Sequence, residues 1–342
     1  MLDRQKESLH LSDPSASSQQ LYFSANACSN TSQNIYNETA KSINFSEVRV
    51  LNVAIDVVDG CNLRCIGCPN SITKPTVHPI PQETILRRIK NIDIGVIDNL
   101  RLYRFGEPLF NPELPSILHS IKTLQKPKVL SISLSTNGQH RNLSILEESL
   151  KTGCIDKISI SADGDGTKEM FERMRPPGKW EILTEFIKNT KRLISKFSPG
   201  TKITMGITLP PIYNKKTTRH IISGKHQANW RTQFSEYIDE FDFHSLLKMP
   251  GSLLAEQDFF SDKSLYDPPK IGACPSVLRG NIYIDGKGIV QPCCWASEVS
   301  NLGDLNSNTY SEIFIKRLQF KKALDERRSE IKACSECPSH EA

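Results

Sequence analysis

The sequence predicts an α/β fold in which parallel β-strands alternate with helices, followed by a small cysteine-containing region. Apolar runs of strand length recur six times between residues 50 and 250, and amphipathic runs of helix length separate them. This alternation is typical of parallel βαβ units, whose loops after the carboxyl ends of the strands carry the chemistry. The pattern is compatible with an open doubly wound sheet and with a full or partial barrel.

The first predicted strand, VLNVAIDVV, leads directly into a group of cysteines. We predict six strands, at 50–58, 100–105, 129–135, 155–161, 202–209 and 241–249. We predict the intervening helices at 81–94, 112–124, 142–151, 179–197 and 231–239. Pro81 suits the start of the first helix, because the first turn of a helix leaves its N–H groups without partners and proline has none to lose.

The pattern changes after about residue 250. Two short apolar runs flank Asp285-Gly286-Lys287-Gly288 and predict a hairpin, and Thr309-x-x-Glu312 forms a capping box for a helix at 310–330. We therefore expect a flexible polar extension at 1–48, a catalytic domain at 49–250 and a small module at 251–342.

Composition excludes several classes of function. The net charge of +5 is spread over mixed basic and acidic residues and does not by itself argue for nucleic acid or a membrane, so we expect neither as a partner. No apolar run approaches the ~20 residues that span a bilayer. The first residues, MLDRQKESLH, lack the apolar core of a signal peptide, so we expect a cytoplasmic protein.

Ten cysteines are unusual for a cytoplasmic protein, where clustered thiols bind metal or do redox chemistry more often than they form disulfides. The first group is Cys61-x-x-x-Cys65-x-x-Cys68, just after the first strand. Three thiolates at this spacing can hold one face of a four-iron four-sulfur (4Fe-4S) cluster, which normally takes four, and so leave one iron open to a cofactor. A zinc site with a distant fourth ligand is the alternative.

Three further segments follow the next three strands, and each alone would be an ordinary turn or helix cap. In this order after the cysteine triplet, they resemble the conserved segments of the radical S-adenosylmethionine (radical SAM) superfamily. The segments are Phe105-Gly106-Glu107-Pro108, Ser135-Thr136-Asn137-Gly138 and Ser161-Ala162-Asp163-Gly164. Two positions depart from the family pattern: Gly67 replaces a residue that is usually aromatic, and Phe105 replaces a glycine.

The resemblance implies a partial (β/α)6 TIM-type barrel whose first cluster binds SAM through its open iron. It implies that Gly106, Glu107 and Pro108 bind the ammonium group of SAM. It further implies that SAM hydroxyl and carboxylate groups contact Ser135, Asn137, Ser161, Asp163 and an arginine. Arg173 and Arg175 compete for that last role, and the alignment of Glu-Arg-Met-Arg-Pro favours Arg175.

The second group of cysteines is Cys274, Cys293, Cys334 and Cys337, a set that a zinc ribbon could also use. The segments Asp285-Gly286, Val290-Gln-Pro-Cys293 and Asn301-Leu-Gly303-Asp304 resemble the SPASM module that follows many radical SAM domains. With this number of cysteines, the resemblance implies one auxiliary 4Fe-4S cluster, so that the chain would hold two clusters and SAM.

The resemblance implies cleavage of SAM to a 5′-deoxyadenosyl radical that abstracts a hydrogen atom from a substrate C–H bond. The electron would come from a reducing donor such as flavodoxin or ferredoxin. We expect dehydrogenation or epimerisation of a small sugar, aminocyclitol or nucleotide-like metabolite. The alternatives are modification of a peptide or protein, and a non-catalytic zinc or iron–sulfur protein.

Two features bear on the substrate. Cys294 is either a hydrogen-atom donor to the substrate radical, which would make the reaction an epimerisation, or a small buried apolar residue. The segment 214–231 carries Lys215, Lys216, Arg219, Lys225 and Arg231 and no acidic residue. It is either a loop over the catalytic face that attracts an anionic substrate group or a solvated insertion.

Overall fold

The computed structural model describes residues 42–210, 212–214, 219–221, 223–246, 280–294 and 301–335, with residues 19–20, 252, 274 and 337. Its core is a sheet of six parallel strands that lie side by side in chain order and do not close on themselves within the described residues. The strands are β1 (Val48–Ile55), β2 (Val96–Arg101), β3 (Lys128–Thr136), β4 (Lys157–Asp163), β5 (Lys202–Leu209) and β6 (Glu240–Ser245). This confirms the predicted α/β fold, a partial (β/α)6 TIM-type barrel.

Helices connect the strands on the outer face of this sheet. They are α1 (Gln82–Lys90), α2 (Leu114–Lys122), α3 (Ser144–Lys151), α4 (Lys168–Met174), α5 (Trp180–Phe197) and α6 (Gly224–Phe234). Short helical turns also follow the first cysteine group, at Asn70–Thr73, and the Gly106-Glu107-Pro108 segment, at Pro108–Phe110.

Several predicted boundaries are wrong, and those of two elements have a clear structural cause. The second strand ends at Arg101 rather than 105, because the N–H groups of residues 104 to 106 donate to the carboxylate of Asp56 instead of to a neighbouring strand. The helix predicted at 231–239 begins at Gly224, where the Ser223 side chain accepts the N–H of His226, and ends at Phe234. A serine cap outweighs the weak amphipathic pattern of that segment.

The two faces of the sheet differ in chemistry. The outer face is apolar: Val53, Leu100 and Ile132 are fully buried beneath the helices. The inner face carries polar side chains that hydrogen-bond from strand to strand, with Ser133 Oγ donating to Asn99 Oδ1 (2.8 Å) and Asn99 Nδ2 to Asn52 Oδ1 (3.3 Å). TIM-type barrels usually fill their interior with branched apolar side chains. A polar interior is therefore suited to binding a polar ligand.

The C-terminal residues extend the same sheet. Strand β7 (Ile282–Ile284) pairs in parallel with β1, and β8 (Ile289–Gln291) and β9 (Gly303–Asp304) follow antiparallel, which confirms the predicted hairpin. Helix α7 (Tyr310–Arg327) begins with the predicted capping box at Thr309.

Helix α7 packs against the start of the barrel. The ring of Tyr310 lies 6.3 Å from that of Phe45, and the buried guanidinium of Arg317 donates to the carbonyl of Asn281 at 2.7 Å. Residues of both regions thus share one core. The domain boundaries predicted after residues 48 and 250 stay predictions. No helix among the described residues is long and apolar enough to cross a membrane.

Candidate cofactor and metal site

The cysteines of the first group lie on one loop that follows β1. Arg64 holds this loop, because its guanidinium donates to the carbonyls of Leu63 (2.8 Å) and Pro75 (3.2 Å). The N–H of Ile66 donates to the carbonyl of Met174 at the end of α4 (3.0 Å). Hydrogen bonds within the protein therefore hold the cysteine loop in place.

The three thiols of this loop are in an environment that suits metal ligands. Burial raises the pKa of Cys61, Cys65 and Cys68, that of Cys68 to about 12, and the neighbouring thiols of the group add to the effect at Cys65 and Cys68. A buried thiolate is costly unless a cation lies beside it, and a bound iron would compensate its negative charge. Among the described residues no three His, Cys, Asp or Glu side chains converge on a single metal ion. Cluster ligands bind separate irons and need not converge on one point.

The Gly106-Glu107-Pro108 segment is held against this loop by Asp56, which directly follows β1. Its Oδ1 accepts the N–H groups of Arg104 (2.8 Å), Phe105 (3.0 Å) and Gly106 (2.9 Å). Gly106 is required here, since a Cβ would lie 1.9 Å from the carbonyl oxygen of Val58. Burial raises the pKa of Asp56 to about 6, although these N–H groups oppose the shift.

Glu107 and Asn137 connect the first cysteine loop to β3. Glu107 is buried, and its Oε2 accepts the N–H of Asn137 at 2.7 Å. The side-chain amide of Asn137 lies 3.4 Å from Cys61 Sγ and donates to Asn62 Oδ1 at 2.7 Å. Nε2 of His140 lies 3.3 Å from Glu107 Oε1. Predicted SAM contacts and predicted cluster ligands are thus brought together.

Arg175, Asp163 and the two serines complete this end of the sheet. Arg175 is buried and its Nη1 lies 2.7 Å from Asp163 Oδ2, whereas Arg173 is exposed. Burial opposes the charged form of Arg175, but the charges of Cys65 and Asp163 raise the pKa of its guanidinium. Ser135 Oγ and Ser161 Oγ are hydrogen-bonded to each other at 2.9 Å.

The second group of cysteines is assembled from separate segments. Burial raises the pKa of Cys334 to about 12, and the charges of Cys293, Cys274 and Cys337 raise it further, so the four side chains lie near one another. Arg328 donates to the carbonyl of Cys334 at 3.0 Å. Four neighbouring thiols match in number the normal ligand set of a 4Fe-4S cluster, in which each ligand binds a separate iron.

Comparison with known families agrees with this arrangement. The model of the radical SAM superfamily matches residues 55–223, and the model of the SPASM iron–sulfur cluster-binding domain matches residues 274–338. The chain belongs to the radical SAM superfamily. The matches confirm the predicted cofactors, since the radical SAM domain binds a 4Fe-4S cluster and SAM and the SPASM domain binds additional iron–sulfur clusters.

Relatives of this radical SAM protein include GTP 3′,8-cyclases. One from Lactiplantibacillus plantarum is 31% identical over 236 residues, which are 67% of this chain and 65% of the relative. A probable GTP 3′,8-cyclase from Pyrococcus horikoshii is 27% identical over 150 residues, 44% of this chain and 45% of the relative. The chain thus spans less than two thirds of the length of these relatives. A solved structure of anSMEcpe with bound AdoMet shares the fold, with a TM-score of 0.54, 17% identity and 85% of each chain covered.

The departure at Gly67 has a structural explanation. A Cβ on Gly67 would lie 3.2 Å from Cδ1 of Leu246, which follows β6. Leu246 packs with Ile66 and Met174 in a small apolar cluster beside the cysteine loop. In this radical SAM domain, a leucine from β6 therefore occupies the space beside residue 67.

Cys294 lies in polar surroundings. Burial raises its pKa to about 11, with a smaller contribution from Cys293, and its thiol is hydrogen-bonded to the hydroxyl of Tyr283. The charge of Arg104 also acts on it. Both interpretations of Cys294, as a hydrogen-atom donor and as a small buried residue, stay predictions.

Sequence reasoning missed Asp56, Asn62, His140 and Tyr283, because none is distinguished by residue type or spacing. Asp56 could have been found from its place at the end of a buried strand. Of the basic segment, Lys215 and Lys216 lie outside the described residues. Arg231 is not over the catalytic face: its guanidinium lies 5.2 and 5.1 Å from the rings of Phe241 and Phe243.

Proposed function

We propose that this radical SAM enzyme inverts one carbon centre of a small anionic metabolite. The substrate would lie on the polar inner face of the barrel, between the SAM segments and the SPASM module. When bound, the first cluster and SAM supply a 5′-deoxyadenosyl radical, which takes a hydrogen atom from the substrate carbon. The remaining steps belong to the side chains of this protein.

The proposal assigns the cluster and SAM residues as follows. Cys61, Cys65 and Cys68 would bind the first cluster, and Cys274, Cys293, Cys334 and Cys337 the auxiliary one. Glu107 and the backbone around Gly106 and Pro108 would accept the ammonium group of SAM. The hydroxyl and carboxylate groups of SAM would be held by Ser135, Asn137, Ser161, Asp163 and Arg175. The burial of Glu107 and Arg175 next to the cysteine loop supports this assignment.

The observation that carries the reaction type is the position of Cys294. Its thiol is hydrogen-bonded to Tyr283, and Tyr283 is paired in register with Ala54 of β1, on the face where Asn52 and Asn99 lie. A hydrogen donor to the substrate must reach this inner face, and an apolar packing role would not require polar neighbours. Cys294 is therefore the best candidate among the described residues for returning a hydrogen atom.

The proposed step balances as follows. The S–H bond of Cys294 breaks homolytically, a C–H bond forms on the substrate radical, and a thiyl radical remains on Cys294. One electron from an external donor of the flavodoxin or ferredoxin class and one proton from solvent restore the thiol. Each turnover consumes one SAM and a second electron from the same donor, which cleaves SAM, and yields methionine and 5′-deoxyadenosine.

The names of the relatives bear on the substrate. GTP is a nucleoside phosphate, so a nucleotide belongs with sugar phosphates and aminocyclitol phosphates in the set of substrates to be tried. The match to the cyclase from Lactiplantibacillus plantarum covers 67% of this chain. A ring closure would also need no hydrogen donor at Cys294. Inversion therefore remains our proposal for this chain.

The test uses the anaerobic, iron-reconstituted protein in deuterated water with each candidate substrate. Wild type should incorporate one solvent deuterium at the inverted carbon. Cys294→Ala should still cleave SAM but form no inverted product, since it lacks the donor. Cys154→Ala is the matched control, because Cys154 is buried in the main apolar core at 7% exposure.

Two outcomes would reject this reaction. If Cys294→Ala forms product at the wild-type rate, Cys294 is not the donor. If the product has lost two hydrogens and contains no deuterium, the enzyme is a dehydrogenase and the auxiliary cluster accepts the second electron. Zinc in place of iron together with no SAM cleavage would reject the enzyme class.

A further inference from the structure

Two arginines next to the proposed hydrogen donor are only partly used by the protein. Arg101 ends β2 on the inner face, in register with Ala54 and Ser133. Nε of Arg101 and both Nε and Nη1 of Arg104 are buried and have no hydrogen-bond partner among the described residues. A buried N–H group without a hydrogen-bond partner is costly, so these three atoms indicate a missing ligand.

Among the described residues, no carboxylate lies within ion-pair distance of either arginine. Arg175 provides the contrast, because its guanidinium lies 2.7 Å from Asp163. Asp56 acts electrostatically on Arg104, but its Oδ1 already accepts three backbone N–H groups. In the part of the chain that the structure describes, the two guanidinium groups thus have no carboxylate that forms an ion pair with them, and a bound anion would provide one.

Neighbouring side chains hold the two guanidinium groups in place. The guanidinium of Arg104 stacks over the ring of Phe105 at 4.4 Å, and its Nη2 donates to the carbonyl of Cys293 at 3.2 Å. The hydroxyl of Tyr103 is hydrogen-bonded to Arg101. Phe105 replaces the glycine of the family motif, so this departure provides the surface on which Arg104 rests.

The position of the pair relates it to the reaction. Arg104 acts on Cys294 electrostatically, and both Arg101 and Cys294 act on Tyr283 and on Tyr103. The residues flanking Arg101 in register, Ala54 and Ser133, are small. An anionic group bound here would lie beside Cys294 on the inner face of the sheet.

We propose that Arg101 and Arg104 form an anion subsite that binds a carboxylate or phosphate group of the substrate. The planar guanidinium group can donate two parallel hydrogen bonds to either a carboxylate or a phosphate. These hydrogen bonds are stronger when the ligand is charged. The location of the subsite in the substrate cavity rests on the proposed function. The binding of an anion by the two arginines does not rest on the proposed function, because the resting enzyme can bind an anion without turnover.

The experiment measures anion binding to the SAM-bound, cluster-loaded protein by anaerobic calorimetry at constant ionic strength. Inorganic phosphate, pyrophosphate and malonate are the probes, and the probe that binds distinguishes a phosphate site from a carboxylate site. Wild type should bind one of them saturably. Arg101→Gln and Arg104→Gln should each weaken binding at least about tenfold, the loss expected from a charge-assisted hydrogen bond.

Controls separate a lost contact from a damaged protein. Arg87→Gln makes the same change on the exposed side of α1 and should leave binding unchanged. Arg101 lies on β2, outside both groups of proposed cluster ligands, so Arg101→Gln should keep its full iron content. Absence of saturable binding in wild type, or wild-type affinity in both variants, overturns the subsite. If wild type binds no anion but Cys294 still donates hydrogen, the subsite is rejected and the proposed function stands. If wild type binds an anion through the two arginines but Cys294 donates no hydrogen, the proposed function is rejected and the subsite stands.

Discussion

The two groups of cysteines are built in different ways. The first lies within eight residues of one loop, which Arg64 and the backbone of α4 fix through contacts that need no metal. The second draws its four thiols from three separate segments, around residues 274, 293 and 334–337. The first site is therefore prepared by the barrel, whereas the second depends on distant segments meeting.

This difference predicts different roles for the metal in folding. Where a site exists before the metal arrives, the metal adds function but little structure. Where the site must be assembled, the free energy of metal binding becomes folding free energy. We therefore expect loss of the auxiliary cluster to loosen the C-terminal module, and loss of the first cluster to leave the barrel folded.

The largest effect should follow removal of the first group. Changing Cys61, Cys65 and Cys68 together to Ala should lower the iron content from about eight to about four per chain, since each cluster contains four irons. Cleavage of SAM by dithionite should become undetectable, because no cluster remains to reduce SAM. Iron analysis and chromatography of 5′-deoxyadenosine measure the two results.

The same triple variant should unfold cooperatively at a temperature close to that of the wild type. Collapse of the barrel in this variant would show that the first cluster also supports the fold. Unchanged iron content would mean that these thiols are not ligands.

A smaller effect on chemistry, but a larger one on structure, should follow removal of one ligand of the second group. Cys334→Ala should also lower the iron to about four per chain, while dithionite-driven cleavage of SAM continues. Amide hydrogen exchange should rise in the strands Ile282–Ile284 and Ile289–Gln291, and rise less in β3 and β4.

Cys28→Ala is the control for this experiment, because Cys28 belongs to neither group. Equal exchange in the C-terminal strands of Cys334→Ala and the control would reject the assembled-site argument. Loss of SAM cleavage in Cys334→Ala would show instead that the two clusters are functionally coupled.

The same contrast explains how far the sequence predicts the molecule. The strand and helix order followed from periodicity, and the first cysteine loop with its Glu107, Asn137 and Arg175 neighbours followed from short motifs. Each of these signals, the period of a strand or helix and the pattern of a short motif, is read from residues close in the chain. The end of β2 was misplaced because Asp56, nearly fifty residues earlier, captures the N–H groups that would continue the strand.

Long-range contacts also account for what the sequence could not indicate about the substrate. The pair of Arg101 and Arg104 is ordinary in composition, and the N–H groups of the pair that have no partner among the described residues are identified only when the neighbouring strands are in place. The polar inner face of the sheet depends on register rather than on any single strand.

The smallest effect concerns Asp56, which prepares the first site without metal. Burial raises its pKa from 3.8 to about 6, so the folded protein binds a proton more readily than the unfolded chain between these values. The contribution of Asp56 to the free energy of unfolding is therefore greatest below pH 4 and falls as the pH rises through 6. The full fall is about 2 to 3 kcal/mol, from the free energy of a pKa shift of this size.

Asp56→Asn tests this dependence while keeping the contacts, because all three backbone N–H groups converge on Oδ1, which the amide oxygen can replace. The variant should gain stability relative to wild type as the pH rises from 5 to 8, in urea unfolding followed by the fluorescence of Trp180 and Trp230. A difference between Asp56→Asn and wild type that stays constant with pH would mean that the ionised carboxylate is fully stabilised by its three donors. Asp56 would then hold the Gly106-Glu107-Pro108 segment without the loss of folding free energy that burial of its charge predicts.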